Sequence, residues 1–126
     1  MPHAPYPDVE ALLIAALSRF GQAGTVLPDG LDELPLFIRA RRIGGRDDRI
    51  TDAARMAVDV FAPTRAAAWE QARLIQQHLI SGPRAIPGAG IIDRVRTEVG
   101  LQEAAYDTPG VRCVTAIYVV SCRRPR

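Results

Sequence analysis

The sequence predicts an α/β domain of the α+β type, with two helices packed on one face of an antiparallel or mixed sheet of about four strands. Two segments space their apolar residues three and four apart, as helices do, and four others alternate apolar and polar residues, as strands do. Their order, α-β-β-α-β-β, joins the strands of each pair by short polar segments, which favours antiparallel neighbours. The 126 residues suit one domain, so we assign 1–126 to a single unit.

Composition excludes several classes of protein. Hydrophobic residues make up 48% of the chain and charged residues 24%, which is typical of a folded globular domain. The longest apolar runs, at 11–17 and 114–120, are far shorter than the ~20 residues that cross a bilayer, so no membrane partner is expected. The net charge is +2, which is too balanced to favour nucleic acid as the main partner. The first residues carry no secretory signal pattern, and we expect a cytoplasmic chain.

The first helix is predicted from Asp8 to Phe20. Asp8 is a suitable N-cap, and Gly21 and Gly24 supply the stop. Residues 1–7 contain three prolines and are predicted to form a flexible N-terminal tail. One apolar stripe runs along the helix: Val9, Leu12, Leu13, Ala16, Leu17 and Phe20.

An antiparallel strand pair is predicted next. Its strands span Leu36–Ile43 and Arg55–Ala62, and each alternates between two faces. The segment between them, 44–53, holds two glycines and five charged residues, so we predict a long polar hairpin loop there.

The second helix is predicted from Thr64, its N-cap, to about Ile80, with Trp69 flanking its apolar seam. Trp69 either covers the sheet or contributes to a subunit contact. Residues 81–90 are predicted as a loop, 91–99 as a strand, 100–110 as a second loop and 111–123 as the last strand. The seam consists of Ala68, Ala72, Ile75 and Leu79.

The sheet face without helices is predicted to be mixed in character. Arginines and Asp59 lie there beside Val, Ile and Phe residues, as is typical of a surface that meets another protein. We expect Arg94 and Arg96 to form salt bridges with Asp59 and Glu98. The alternative is that this arginine pair lines a channel for nucleic acid.

No catalytic, cofactor-binding or metal-binding motif is present in the sequence, and an enzyme is not expected. Cys113 and Cys122 fall in one predicted strand, where their Cα atoms would be roughly 30 Å apart, so they are expected to be reduced packing residues. Asp47, Asp48 and Asp52 lack the spacing of a calcium loop and are expected to pair with arginines or remain solvated.

Five segments together resemble the small tail terminator proteins of long-tailed, siphovirus-type bacteriophages. The resemblance covers nearly all of the chain and is most specific in IGGRDDRITDAARMAVDVFA and in TRAAAWEQA. The segments are DVEALLIAALS, LPLFIRARRIGGRDDRITDAARMAVDVFA, TRAAAWEQARLIQQHL, DRVRTEVG and YVVSCRR.

The resemblance implies a structural virion protein with an α/β fold, without catalysis or cofactors. Members of this family form a ring, usually a homohexamer, that caps the finished tail tube, ends its polymerisation and offers a surface for joining to the head. The implied partners are copies of the chain itself, the major tail tube protein and a head-completion or connector protein, with DNA only in transit through the lumen. The implied location is the head-proximal end of the tail, after assembly in the host cytoplasm.

Two groups of residues are candidate contact sites. Because the segment 44–53 is polar and is predicted as a loop, we assign tail-tube contact to Arg46, Asp47, Asp48 and Arg49. We assign the ring interface to exposed positions of the second helix and the helix-free face: Arg65, Trp69, Arg73, Arg94 and Arg96.

Three other functions stay open at this point. A head-tail connector or stopper subunit forms rings of similar size. A small α/β ligand-binding or hydrolytic domain would need a concave pocket with converging polar groups. A nucleic-acid-binding module would bind DNA with a steep dependence on salt.

Overall fold

The computed structural model describes residues 5–124, and part of the predicted tail, residues 1–4, lies outside this range. Residues 5–7 belong to no helix or strand, and the Tyr6 ring lies 4.3 Å from the Arg124 guanidinium carbon. The elements are α1 (Val9–Leu17), β1 (Gln22–Gly24), β2 (Phe37–Asp47), β3 (Thr51–Ala62), α2 (Arg65–Ile80), β4 (Arg84–Ile86), β5 (Gly90–Ile92), β6 (Arg94–Ala104) and β7 (Arg112–Arg123).

The predicted α+β class is confirmed, but the main sheet has five strands instead of about four. Its order is β1-β2-β3-β7-β6, and β4 pairs with β5 in a separate small hairpin. β1 is parallel to β2, and all other pairings are antiparallel. The three-residue strands β1, β4 and β5 are too short to show a period-2 pattern in the sequence.

Both predicted helix starts are confirmed by side-chain caps. Asp8 Oδ1 accepts a hydrogen bond from the Ala11 amide at 3.2 Å, and Thr64 Oγ1 accepts one from the Ala67 amide at 3.2 Å. The end of α2 at Ile80 agrees with prediction, whereas α1 ends at Leu17, before the expected Phe20. The chain leaves the helix through a turn at residues 18–20.

Both helices pack on the same face of the sheet, as predicted. α1 lies against β2, and α2 lies against β3, β6 and β7. The predicted seam of α2 is fully buried, at 1% exposure or less. The largest side chains of this core with exposure below 2% are Tyr118, Leu12, Leu13, Leu17, Ile38, Met56, Ile75, Leu79 and Ile92.

The predicted long hairpin loop at 44–53 is wrong. β2 continues to Asp47 and β3 begins at Thr51, so only residues 48–50 connect them. Asp48 Oδ1 accepts hydrogen bonds at 2.7 Å from the amides of Ile50 and Thr51, which lower the pKa of this carboxyl. The segment is therefore an ordered strand pair with a tight turn.

The predicted boundary between the third strand and the second loop is also wrong. β6 begins at Arg94, after Asp93, and continues to Ala104, so the strand predicted for 91–99 is shifted and the loop predicted for 100–110 is shortened. The β6–β7 register shifts after Thr97 and again after Val99. Such bulges break the alternation by which a strand is read from sequence. β7 agrees with the prediction to within one residue.

The two edges of the sheet differ. Among residues 5–124, no strand pairs with the outer edge of β6. At the opposite edge, β1 pairs with Phe37–Arg39 of β2, and farther along the Glu10 carboxylate accepts a 2.8 Å hydrogen bond from the Arg42 amide. The edge of β2 is therefore partly covered, whereas that of β6 is open.

Candidate interaction surfaces

The helix-free face of the sheet is ordered in rows that cross β2, β3, β7 and β6. The pairing registers define five rows, which change from apolar at one end to basic at the other. In that order they are Phe37, Phe61, Cys113 and Ala104; Arg39, Asp59, Thr115 and Gln102; Arg41, Ala57, Ile117 and Val99; Gly44, Arg55, Val119 and Arg96; and Arg46, Ala53, Ser121 and Arg94.

Asp59 lies at the centre of this face and is 5% exposed. Its carboxylate accepts hydrogen bonds from Arg39 Nε at 2.8 Å and from Thr115 Oγ1 at 2.6 Å, and Arg41 Nε lies 3.9 Å away. These partners compensate for the loss of water around the buried charge. The Arg39 guanidinium also lies over the Phe61 ring, 5.5 Å from its centroid.

The expected salt bridges of Arg94 and Arg96 are wrong. Asp59 forms its ion pair with Arg39, and Glu98 accepts a 2.8 Å hydrogen bond from Arg55 Nε. Within the described part of the chain, Arg94 and Arg96 form no ion pair, and both are exposed. Arg55 was not among the predicted site residues, because its position across the sheet from Glu98 depends on long-range register.

A second, smaller core covers the apolar end of the same face. Leu31, at the start of a short 3-10 helix, packs there on Phe37, Phe61 and Cys113. The segment between β1 and β2 thus crosses the helix-free face at this end. Residues 28–30 have the sequence of a turn, which does not indicate that the segment after them covers the sheet.

Trp69 lies where α2 meets β6. Its ring is flanked by the guanidinium groups of Arg65 and Arg73, at 5.7 and 5.2 Å from the centroid. Trp69 Nε1 donates a 3.3 Å hydrogen bond to Glu103, which also pairs with Arg65. The bond from Trp69 and the charge of Arg65 lower the pKa of Glu103. Trp69 is half-buried against the core, so it covers the sheet and still presents part of its ring to solvent.

The end of the β2–β3 hairpin carries the four residues assigned to tail-tube contact. Arg46, Asp47, Asp48 and Arg49 are all exposed. Two apolar side chains of the same hairpin are exposed as well, Ile43 by 40% and Ile50 by 64%. The Asp48 carboxylate accepts hydrogen bonds from backbone amides of the turn. The side chains of Arg46, Asp47 and Arg49 are exposed and can contact a partner.

The hairpin is anchored by an ion pair on its helix-facing side. Arg42 Nη1 and Nη2 donate to the two oxygens of Asp52 at 2.6 and 2.7 Å. Asp52 is 4% exposed, and its hydrogen bond is the main reason for a raised pKa of Arg42. The expectation that the local aspartates pair with arginine or stay solvated is met by Asp52 and by Asp47.

Cys113 and Cys122 are free and buried, as predicted. They belong to the two different cores of the molecule. Burial raises the pKa of Cys113 to about 12 and that of Cys122 to about 11, which keeps both as thiols at neutral pH. In the described residues, no three or more His, Cys, Asp or Glu side chains are grouped to hold a metal ion.

A pocket of about 360 Å³ lies between residue Pro7, the β4–β5 hairpin and the end of β7. Two of its charged side chains bind each other, since Arg123 Nε donates a 3.0 Å hydrogen bond to Asp93 Oδ1. Asp93 Oδ2 is buried without a partner among the described residues. No helix of residues 5–124 combines the length and apolar character needed to cross a membrane.

The structure places the five proposed ring residues in two separate groups, near opposite ends of β6 and on opposite faces of the sheet. Arg65, Trp69 and Arg73 lie on α2 beside the far end of β6, where Glu103 binds the first two. Arg94 and Arg96 lie at the start of β6 on its helix-free face. The hairpin end lies at the opposite edge of the sheet, and Arg46 shares a cross-strand row with Arg94.

Comparisons with solved structures give distant matches, one of which is described here. The chain is similar to a chain in a solved structure described as the virion of a native gene transfer agent particle, with a TM-score of 0.48 and 17% sequence identity. The match covers 90% of this chain and 85% of that one. It is too distant to assign a function. No protein-family model matches the sequence, and a search of curated proteins gives no match.

Proposed function

We propose that this chain is a structural virion protein that forms a ring on the end of a phage tail tube. The ring ends polymerisation of the tube and provides the surface for joining to the head. The two segments most similar to tail terminator proteins form the β2–β3 hairpin and the first half of α2. These elements carry the proposed tube contact and part of the proposed ring interface.

The observation that carries this proposal is the number of interface-type residues along β6, of which Arg94 and Arg96 have no ion-pair partner among residues 5–124. Trp and Arg are enriched where proteins meet, and here one Trp and several Arg side chains flank a single open sheet edge. A closed ring needs two different patches on each subunit. The β6–α2 side supplies one of these patches.

The hairpin end supplies the proposed contact with the tube. Arg46, Arg49 and Ile50 are exposed at the turn, and the Arg42–Asp52 pair fixes the strands behind them. An ordered projection loses little conformational entropy on docking, which favours a stable cap. Head joining, a homohexameric state and a head-proximal position in the virion belong to the same proposal.

Tail length tests the proposed tube contact. We expect a phage carrying Arg46→Ser with Arg49→Ser to assemble tails that exceed the normal length, because the tube continues to grow without its cap. Electron microscopy of purified tails measures the length distribution. A matched variant, Arg19→Ser with Arg112→Ser, removes two arginines elsewhere and should leave the length unchanged. Tails of normal length in the hairpin variant would contradict this assignment.

Binding partners separate a terminator from a connector or stopper. The proposal expects the purified chain to bind the major tail tube protein in a pull-down, and the hairpin variant to lose this binding. Binding to a portal-side adaptor instead, with none to the tube protein, would replace the proposed role by that of a stopper.

A further inference from the structure

The helix-free face contains a basic trough. Its floor is made of small and apolar residues in the last three cross-strand rows, and its arginines stand on both sides. Glu98 neutralises Arg55, while Arg94 and Arg96 have no acidic partner within residues 5–124. The trough comprises the arginines Arg41, Arg55, Arg94 and Arg96 around Ala53, Ala57, Ile117, Val119 and Ser121.

An acidic loop with the opposite character lies at the other end of the same face. Asp29, Asp32 and Glu33 are exposed, and none of them forms an ion pair with a described residue. The loop is held in place from beneath by Leu31, which is 8% exposed. Its backbone is closed by a 2.9 Å hydrogen bond from the Glu33 amide to the Gly30 carbonyl, so the carboxylates stand on an ordered segment.

The trough and the acidic loop of one chain are too far apart to form ion pairs with each other. Leu31 packs on Phe61, and Arg55 lies six residues earlier on the same strand, which corresponds to about 20 Å. Charges of opposite sign therefore face solvent at two ends of one surface. Each group is therefore available to a partner in another molecule.

We propose that the acidic loop of one copy docks in the basic trough of the next copy. This inference rests on the proposed ring and names the two surfaces that close it. Arginine forks bind carboxylates in bidentate pairs, and the trough presents several of them. Because the two surfaces differ, the contact is heterologous, and repeated contacts close into a ring when the rotation allows.

A second copy explains both surfaces, whereas nucleic acid explains only one. Asp29, Asp32 and Glu33 would be repelled by a phosphate backbone that passed over their face of the sheet. The half-buried Ile117 side chain on the trough floor suits a protein partner better than a polyanion. The loop carries three carboxylates, and two trough arginines, Arg94 and Arg96, have no ion-pair partner among residues 5–124. The opposed charges are therefore similar in number.

Charge exchange tests the pairing. We expect Asp32→Arg with Glu33→Arg, and separately Arg94→Glu with Arg96→Glu, to weaken self-association at low salt at least tenfold by sedimentation velocity. The chain that carries all four changes should regain self-association, because the loop is then basic and the trough acidic, and the two surfaces attract each other again. Arg19→Glu with Arg112→Glu, away from both surfaces, serves as the control and should associate like the native chain.

Disulfide cross-linking detects the same contact without a measurement of affinity. Under mild oxidation, Glu33→Cys combined with Arg96→Cys should give a ladder of linked multimers, because the two native thiols are buried. Glu33→Cys combined with Arg112→Cys should give none. A monomeric native chain with no ladder, or failure of the four-change chain to regain association, overturns the proposal.

DNA binding gives the remaining outcome. If the native chain binds DNA with a steep salt dependence that Arg94→Glu with Arg96→Glu removes, and self-association is unaffected, the trough is a nucleic-acid site and the proposed pairing fails. None of these failures by itself changes the tail-length result. The pairing and the capping function are therefore separable.

Discussion

Individual charges in this molecule either bind within the chain or remain available to partners. Asp52 belongs to the first group, because Arg42 holds both of its oxygens and little of its side chain reaches water. Asp47, directly across the hairpin from Asp52, is exposed and forms no ion pair with the described residues. The two neighbouring carboxylates therefore differ in their contribution to stability.

We expect Asp52→Asn to lower the free energy of unfolding by about 2 kcal/mol, because it removes one partner of a shielded, bidentate ion pair. Urea denaturation followed by circular dichroism measures the change. Asp47→Asn is the matched control and should stay within about 0.5 kcal/mol of the native chain. Equal stabilities for the two variants would show that the Arg42–Asp52 pair contributes little.

Residue-level prediction from the sequence succeeds where the cause is local. The caps Asp8 and Thr64 are recognisable because a capping side chain lies next to the helix that it starts. The pairing of Glu98 with Arg55 was not predictable, because it depends on the order of strands across the sheet. A one-residue shift of register would exchange the neighbours of each side chain.

The β2–β3 hairpin shows the same limit at the scale of an element. Residues 44–47, the last part of β2, are exposed and offer no apolar face, so their sequence pattern is that of a loop. Gly45 is what makes the strand pair possible. Its φ is +119°, and a Cβ at this position would lie 2.2 Å from the Ala53 carbonyl oxygen.

We expect Gly45→Ala to destabilise the fold by at least about 2 kcal/mol, because the methyl group meets backbone and the φ value is strained for alanine. Gly100→Ala, on β6, is the control, since no atom outside its neighbours lies within 4 Å of the added Cβ. Thermal unfolding of both variants measures the difference. A native-like Gly45→Ala chain would contradict the hairpin geometry.

At the scale of the whole molecule, His78 joins three parts of the chain. The Phe20 ring, after α1, packs edge-on against its imidazole, with centroids 5.3 Å apart. Arg84 of β4 contacts the same ring and the His78 carbonyl, and Arg19 Nη1 lies 3.4 Å from Nδ1. Desolvation by burial, and then the charges of Arg84 and Arg19, lower the pKa of His78 below its usual 6.5.

This lowered pKa makes the stability depend on pH in a defined direction. Unfolded His78 binds a proton more readily than folded His78, so stability is full above pH 6.5 and falls as pH drops through the folded pKa. We expect His78→Gln to reduce the pH dependence of the thermal midpoint between about pH 5 and 7, relative to the native chain. Differential scanning calorimetry across this range measures it. Parallel profiles for the two chains would contradict the role of His78.

The architecture as a whole was largely predictable from periodicity. The two helices, the central strands and the side on which the helices pack all follow from apolar residues at spacings that local geometry fixes. The small core under Leu31 was not predictable, because it joins residues distant in sequence through a segment without regular structure. The candidate surfaces share this dependence, since the trough exists only once four strands lie side by side.

The unequal edges of the sheet bear on how copies can stack. A foreign strand could extend the ladder at β6, but the Glu10 carboxylate and β1 occupy much of the β2 side. A continuous ribbon through many molecules needs both borders unobstructed, so growth by main-chain hydrogen bonding would stop after one addition. This asymmetry disfavours fibril formation through main-chain pairing. Side-chain contacts then determine the size of any assembly.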